Sequence, residues 1–369
     1  MQSPIDFFSS LTDPRMDRCK LHKLSDILFI TIAACLSGAE DWEEIEEYGE
    51  AKQDWLKTFL ELPNGIPSHD TFNRLFAALD PVELERCFAA WIRSVAEISQ
   101  GQVVSIDGKR LCGSGEHGKK SIVHMVSAWS GANNMVLGQC KVDDKSNEIT
   151  AIPALLNVLM VKGCIITIDA MGCQKDIAEK IISKEADYVL ALKANQEFLL
   201  DDVQEAFNRD KATSSALELD MGHGRIEKRT CHVISDTSWI CKQQDWKGLQ
   251  SLIKIESQRY HKSNGQTEQQ IRYYISSLPA DAATLNEAIR QHWAIENQLH
   301  WTLDVAFGED KSQKRAGYAA QNFSLINKVA LNLLKNEKSK KRRSMKVKRH
   351  KAGWDNDYVF QLLNNAKEL

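Results

Sequence analysis

The sequence lacks the features of several protein classes. Its nine cysteines include no C-x-x-C pair, and an odd, scattered set argues for reduced thiols rather than a disulfide framework or a zinc knuckle. The longest apolar run, Ile27 to Leu36, is too short to span a bilayer, and the first residues are not those of a signal peptide. The sequence also has no fixed-period repeat. These absences favour an intracellular, cytoplasmic protein, and its 369 residues are enough for two or three domains.

The chain also lacks a strong overall charge, because its formal net charge is only −3. That average hides an asymmetry: the run from Lys338 to Lys351 contains nine basic residues and no acid, which leaves −12 for the rest. Such a run is equally typical of a solvated, disordered segment and of an arm that binds phosphates. The candidates for DNA contact in this run are Lys341, Arg342 and Arg343.

Residues 1–98 are predicted to form an all-α N-terminal domain. A first helix is expected to begin after Ser25 and to end at Gly38, and an acidic amphipathic helix is expected from Glu40 to Leu62. Ser68 is then a typical N-cap for a further helix. Short helices joined by tight turns form either a DNA-binding helix-turn-helix or a plain bundle, and the sequence leaves both open. The residues that would contact DNA are His69, Asn73 and Arg74.

Two apolar strands each lead to an aspartate. Val103–Ile106 precedes Asp107, and Ile165–Ile168 precedes Asp169. β-Branched residues favour strands, and Gly108 would allow a sharp turn directly after the first acid. Each aspartate could merely cap a turn. Two aspartates at neighbouring strand ends also suit a pair of carboxylates that binds a cation.

Hydrophobic periodicity from residue 99 onward predicts the order βββαβαβα, a mixed sheet with helices on its faces. This is the strand order of a ribonuclease-H-like core, which is expected to span residues 99–337, before a basic tail at 338–369. A β-rich insertion is expected at about 212–278, with strands at Arg225–Ser235, Ser251–Tyr260 and Gln269–Ser276. Within the insertion, one strand face would be either solvated or turned toward a substrate. The residues of this face are His223, Arg225, Glu227 and Arg229.

A long helix is predicted from Asp281 to about Leu303, with His292, Glu296 and His300 on one face. Apolar and aromatic neighbours surround the glutamate, so its carboxylate is expected to be paired or ligating. Phosphoryl transfer on a nucleic acid needs two divalent metal ions, and carboxylates hold Mg²⁺ well. The predicted catalytic and metal-binding residues are Asp107, Asp169 and Glu296, with two Mg²⁺ ions or Mn²⁺ as a substitute.

The specific segments form a set: Pro67–Phe72, Ile106–Lys109, Thr167–Gly172, Leu192–Gln196, His223–Arg225, His292–Asn297 and Glu309–Asp310. As a set they resemble the DDE transposases of bacterial insertion sequences, specifically the ISAs1 group with its H-repeat-associated members. The resemblance covers nearly the whole chain. It implies a ribonuclease-H-like fold, Mg²⁺ dependence, and cleavage and strand transfer at element ends. It further implies a homodimer acting at the nucleoid on double-stranded terminal repeats and target DNA.

One departure from the wider family concerns the third acid. The related IS4 group carries a Tyr, an Arg and a Lys around its Glu, and the corresponding positions here hold Ile289, His292 and Leu303. The assignment of Glu296 as the third acid therefore depends on the resemblance of the surrounding segment to the ISAs1 group. The fallback candidates for the third acid are Asp304 and Asp310.

The phosphate contact of the absent Lys would pass to Lys193 or Arg225. Beside the three residues of the N-terminal helices, Arg74 among them, the predicted DNA-contacting residues in the body of the chain are Lys193, Asn195, His223, Arg225 and Arg229. Two other functions stay open. The chain could be a metal-dependent nuclease of the same fold that cuts without joining, or a DNA-binding relic that has lost catalysis.

Overall fold

The computed structural model describes residues 3–115, 122–143, 147–222, 224–337, 341 and 343–364. The helices are α1 Pro4–Phe8, α2 Leu24–Ser37, α3 Trp42–Ala51, α4 Gln53–Leu56, α5 His69–Ala78, α6 Pro81–Val95, α7 Glu148–Val158, α8 Lys175–Ser183, α9 Glu197–Arg209, α10 Ala282–Ala294, α11 Trp301–Phe307, α12 Ala319–Lys335, α13 Met345–Trp354 and α14 Asn356–Asn364. The strands are β1 Val103–Leu111, β2 Val123–Ser130, β3 Met135–Lys141, β4 Ile165–Ile168, β5 Asp187–Leu192, β6 Ser214–Gly222, β7 Arg225–Ile234, β8 Ser251–His261 and β9 Thr267–Ser276.

The strands form one mixed sheet in the order β3-β2-β1-β4-β5-β9-β8-β7-β6. Strands β1, β4 and β5 run parallel, β2 and β3 form an antiparallel hairpin, and β9 pairs antiparallel with β5. The first five strands in this order have the arrangement of a ribonuclease-H-like core. The predicted fold class, a mixed sheet with flanking helices after a helical N-terminal region, is therefore confirmed.

The chain divides into two compact units. The helical unit comprises residues 1–97, 108–147 and 296–369, and the sheet unit comprises residues 98–107 and 148–295. Each unit is discontinuous in sequence, so the units cut the chain differently from the three linear domains expected at 1–98, 99–337 and 338–369. That linear division stays a prediction.

Two helices form the interior of the helical unit. Helix α2 is apolar on all sides, and every residue from Asp26 to Leu36 is buried. It begins at Leu24 rather than after Ser25, and it ends at Gly38 as predicted, where φ is +119°. Helix α12 is also buried from Ala319 to Leu334 except for one residue. The predicted acidic helix is interrupted at Lys52, where α3 gives way to α4.

The insertion extends the sheet instead of forming a separate element. Strands β6 to β9 make an antiparallel ribbon, and β9 joins it to β5. Three of these strands were expected, but β6 was not, because its sequence has no β-branched residue. Its full-length pairing with β7 and its packing under α10 supply what propensity does not. The core of the sheet unit lies between α10 and the strands, and includes Cys231, Val233, Leu285 and Ile289.

Two local predictions near the acids were wrong. Strand β1 does not end at Asp107 but continues to Leu111, and Gly108 does not have a positive φ. The long helix from Asp281 is not a continuous α-helix either, because a π-helical segment, Ile295–His300, separates α10 from α11. π-Helical turns inside α-helices are frequent at functional sites.

Candidate active site

The register of β1 and β4 brings two aspartates to neighbouring positions. Ile106 pairs with Ile168 in the parallel ladder, so Asp107 and Asp169 are the next residues on adjacent strands. Adjacent strands lie about 4.8 Å apart, which suits two carboxylates that share one cation. The alternative role as a turn cap also applies to Asp169, whose Oδ1 accepts a hydrogen bond from Met171 N at 3.1 Å. One oxygen of this carboxylate therefore shapes the turn.

A short polar chain fixes the face on which the two acids lie. Thr167 Oγ1 donates to Ser105 Oγ at 3.2 Å, and His292 Nδ1 lies 3.0 Å from Thr167 Oγ1. Ser105 and Thr167 each precede an aspartate by two residues, and side chains two apart in an extended strand share a face. Asp107 and Asp169 therefore project from the side of the sheet that the last turn of α10 covers. A hydroxyl two residues before each acid was a visible sequence signal, and its meaning was missed.

The turn after Asp169 is held by the loop that follows β5. Asn195 Nδ2 donates to Ala170 O at 2.7 Å, and Gln196 Nε2 donates to Cys173 O at 2.9 Å. Gly172 is required in this turn, because a Cβ there would lie 2.3 Å from Ile168 Cγ2. Asn195, which was predicted to contact DNA, thus orders the turn that carries the second acid.

The third predicted acid lies in the π-helical segment of the helical unit. His300 Nδ1 lies 3.1 Å from Glu296 Oε2, and the imidazole is buried. Burial lowers the pKa of His300, although the charge of Glu296 acts in the opposite direction. The expectation that apolar neighbours enclose Glu296 was wrong, since its side chain is 57% exposed. The reason is that Trp293 and Trp301 are themselves exposed and do not cover it.

Two of the boundaries between the units fall next to these acids in the sequence. One boundary follows Asp107 and another precedes Glu296. His292, one helical turn before Glu296, belongs to the sheet unit and contacts Thr167. Asp107 therefore follows the last residue of β1 that pairs with β4, and Asp169 begins the turn after β4. Glu296 lies in the π-helical segment directly after α10.

The fallback acids have a different partner. Lys109 Nζ forms ion pairs with Asp304, with Glu309 at 3.2 Å and with Asp310 at 3.7 Å. Burial, above all, raises the pKa of Asp304, while the hydrogen bond from Lys109 lowers it. These carboxylates already face an ammonium group, which makes them weaker candidates for a metal. No structural role for Lys109 was predicted, because its partners are about 200 residues away in the chain.

The predicted DNA-contacting residues are scattered over the two units. Arg74 is 78% exposed in α5 and pairs with Asp70 at 2.8 Å. Lys193 and Arg225 are exposed, but Arg229 is only 9% exposed. Its neighbours at alternate positions in β7 belong to the core under α10, so Arg229 is on the covered face and unsuited to direct phosphate contact. Of the tail candidates, Lys341 is exposed and Arg343 is half-buried. Two further candidates, His223 and Arg342, lie outside the described residues.

The chemistry of the acids fits a hard divalent cation. Asp107 and Asp169 offer carboxylate oxygens on one face of the sheet, and such oxygens are the ligands that Mg²⁺ prefers. Among the described residues, no helix is both long enough and apolar enough to cross a membrane.

Sequence comparisons match nearly the whole chain to known proteins. The family model of the transposase DDE domain matches residues 98–333, and the model of its associated domain matches residues 5–92. The transposase-named protein YncI of Escherichia coli O157:H7 is 45% identical, and the match covers 100% of this chain and 96% of that protein. The H repeat-associated transposase-named protein YhhI of Escherichia coli K12 is 42% identical, over 97% of both chains.

A solved structure, the piggyBac transposase synaptic complex with hairpin DNA, matches with a TM-score of 0.47 at 11% identity, over 99% of this chain and 81% of that one. The narrower ISAs1 assignment is compatible with the sequence matches, which do not test it. Two family models and full-length relatives agree, and the chain belongs to the DDE transposase family.

Proposed function

We propose that this protein is a DNA transposase that cleaves and rejoins strands at the ends of an insertion-sequence element. The observation that carries the proposal is the ladder pairing of Ile106 with Ile168, which sets Asp107 and Asp169 side by side under the last turn of α10. Membership of the DDE transposase family supports the same reaction class. Full-length relatives that bear transposase names point to DNA as the substrate.

We propose that Asp107, Asp169 and Glu296 hold two Mg²⁺ ions, for which Mn²⁺ can substitute. When bound, such ions activate the attacking hydroxyl group and stabilise the leaving oxygen. The residues of the chain supply the negative charge that offsets the repulsion between two dications. His300 orients the Glu296 carboxylate through its 3.1 Å contact, and Asn195 holds the turn that carries Asp169.

We propose that double-stranded DNA, both terminal repeats and target, contacts the exposed cations Arg74, Lys193 and Arg225, and that the protein acts on it as a homodimer. Lys193 suits a phosphate next to the cut strand, because it precedes the loop that is docked on the Asp169 turn. Arg225 is exposed and lies 4.0 Å from Glu227, a distance that leaves its guanidinium available for a phosphate. The tail residues Lys341 and Arg343 would add a sequence-independent contribution.

The test is incubation of the purified protein with labelled element-end DNA and Mg²⁺. Both nicked and joined products are expected. Nicks without joined products would favour the second candidate, a nuclease of the same fold. Specific binding of the end DNA without either product would leave a DNA-binding relic, and it would refute the catalytic role of the three acids.

A further inference from the structure

The helical unit contains a cavity that the proposed catalytic role does not use. Its volume is about 750 Å³, within the range of protein sites for small organic ligands. One wall is α11, where Trp301 and Val305 line the cavity from successive turns. These two side chains are 60% and 63% exposed, respectively. The wall is therefore an apolar surface that no other part of the described chain covers.

The lining of the cavity is also rich in basic residues. Lys335, Arg343, Lys346, Lys348 and Arg349 line it, against Glu40 as the single acid. Some of these charges are used internally: Lys348 lies 3.3 Å from Glu337, and Arg349 donates to backbone carbonyls. The positive charge that remains has to be compensated by solvent or by an anionic ligand.

Two of the lysines have no carboxylate partner within the described residues. Lys335 lies 3.4 Å from Asn134 Oδ1 and 4.9 Å from the Trp129 ring. Burial and then the charge of Lys348 lower the pKa of Lys335 to about 8, and no carboxylate counters them. Lys346 is exposed in the first turn of α13 and likewise forms no ion pair in the described part of the chain. Both ammonium groups are suited to a phosphate.

We propose that this cavity binds one unpaired nucleotide of a DNA strand, with its base against Trp301 and its phosphate against Lys335 and Lys346. An aromatic ring beside cations is the combination that single-stranded nucleic acids require, because every base has a π-face and every nucleotide a phosphate. Duplex DNA cannot use it in the same way, since its bases are stacked and paired. The inference rests on the proposed function, because α11 follows the Glu296 segment directly and the strand to be cut would pass close to it.

The probe is a labelled oligothymidylate of about ten nucleotides, a length within the site sizes of single-strand binders, in buffer without divalent metal. Trp301→Ala is expected to weaken its binding about tenfold or more, and Trp301→Phe to retain most of the affinity. Binding of a duplex of the same length should change less than about twofold in both variants. Because Trp301 is exposed, the melting temperature should stay at the wild-type value.

The charge arm compares two exposed lysines of the helical unit. Lys346→Glu should weaken oligothymidylate binding and reduce the slope of log affinity against log salt by about one or more. Lys57→Glu makes the same charge change away from the cavity and should do neither. The inference is overturned if Trp301→Ala leaves the single-strand affinity unchanged, if it weakens duplex binding equally, or if both lysine variants behave alike.

The result is separable from catalysis, because this binding assay contains no metal and detects no cleavage. If the wild type binds the oligonucleotide through Trp301 but never cuts DNA, the nucleotide site is supported and the proposed function is refuted. If Trp301→Ala cuts DNA normally and binds the oligonucleotide as the wild type does, the nucleotide site is refuted and the proposed function stands.

Discussion

Lys109 Nζ lies 3.2 Å from Glu309 Oε2, and both side chains are largely removed from solvent. The ammonium group also pairs with Asp304 and Asp310, so a single cation holds three carboxylates together. Burial lowers the pKa of Lys109, but the charges of the three acids outweigh it and raise the pKa above its usual value. The ammonium group of Lys109 therefore stays charged throughout the neutral range, and the stability that its raised pKa contributes is lost as the pH rises through that raised value.

Lys109→Met should lower the free energy of unfolding by about 3–5 kcal/mol, because it leaves a buried carboxylate without its cation. The double variant Lys109→Met/Glu309→Gln should recover part of that loss. Lys311→Met removes an exposed charge two residues from Glu309 and should change stability by less than about 0.5 kcal/mol. Urea unfolding measures all three variants. A loss below about 1 kcal/mol for Lys109→Met would contradict the structural role of the cluster.

The sequence was sufficient to find the elements that carry the first two acids. Runs of β-branched residues marked β1 and β4, and the aspartates at their ends followed from the pattern. The turn predicted at Gly108 was wrong, because a glycine permits a turn without requiring one. The continuation of β1 to Leu111 depends on strand pairing, which the local sequence does not encode. Local pattern thus located Asp107 but not the course of the chain after it.

Long-range contacts explain the remaining differences. Lys109 meets acids about 200 residues away, and no local spacing indicates such a pairing. Glu296 looked enclosed because its neighbours in sequence are large and apolar, but the π-helical segment leaves its side chain exposed. Lys328 is a lysine, a residue type that is rarely buried, yet it lies in the buried part of α12. Burial of a helix face is decided by what packs on it.

Lys328 should make stability depend on alkaline pH. Its ammonium donates to Gln139 Oε1 at 2.6 Å and to Ser324 Oγ at 2.9 Å, and burial lowers its pKa to about 8. Between pH 8 and the ordinary lysine pKa near 10.4, the unfolded chain holds a proton that the folded chain has released. The contribution of Lys328 to stability therefore rises with pH in this window.

Lys328→Met removes this dependence. Between pH 7 and pH 10, the free energy of unfolding of the wild type should rise by about 2–3 kcal/mol relative to that of the variant, as expected for a shift of about two pKa units. Burial raises the pKa of the Cys35 and Cys140 thiols, which lowers stability as pH rises, but that effect is present in both proteins and cancels in the difference. Chemical unfolding at several pH values measures it, with Lys57→Met as the exposed control. Parallel curves for wild type and Lys328→Met would contradict the prediction.

Part of the basic tail is structural. Arg349 is buried, donates from Nε to Cys35 O at 3.1 Å and from Nη2 to Ala39 O at 3.2 Å, and stacks on Phe307. Arg349→Met should lower the free energy of unfolding by about 2–4 kcal/mol, because several buried carbonyl groups lose their donor. Lys346→Met, on the same helix but exposed, should cost less than about 0.5 kcal/mol. Equal stability of the two variants in urea would show that the tail is only a solvated arm.

Arg74 tests whether the N-terminal helices distinguish element ends from other DNA. Its guanidinium is exposed and needs only to leave Asp70 to reach a base edge. Arg74→Ala should reduce the ratio of end-DNA to random-DNA affinity by about tenfold, the value of one good contact between a side chain and a base. Arg86→Ala removes a comparable exposed arginine, paired with Glu83 in α6, and should leave the ratio unchanged. An unchanged ratio in both variants would make this region a plain helical bundle.

Neutralising each of the three proposed metal-binding acids tests the candidate active site. Asp107→Asn, Asp169→Asn and Glu296→Gln each keep the side-chain shape while removing one negative charge. Because two dications need close carboxylates to offset their repulsion, each variant should bind Mn²⁺ more weakly and lose strand cleavage by a factor of about a hundred or more. DNA affinity depends on Lys and Arg and should stay near the wild-type value.

Asp304→Asn is the matched comparison for Glu296→Gln, because both residues were candidates for the third acid. Asp304 faces Lys109, so its loss should lower stability rather than cleavage, whereas Glu296 is exposed and its loss should lower cleavage rather than stability. Since the three acids act as one unit, the double variant Asp107→Asn/Glu296→Gln should be little worse than either single variant. Cleavage rate, Mn²⁺ titration and melting temperature are measured for each protein. Normal cleavage by Glu296→Gln together with loss of cleavage in Asp304→Asn would move the third ligand to Asp304, and normal cleavage by all variants would refute the metal site.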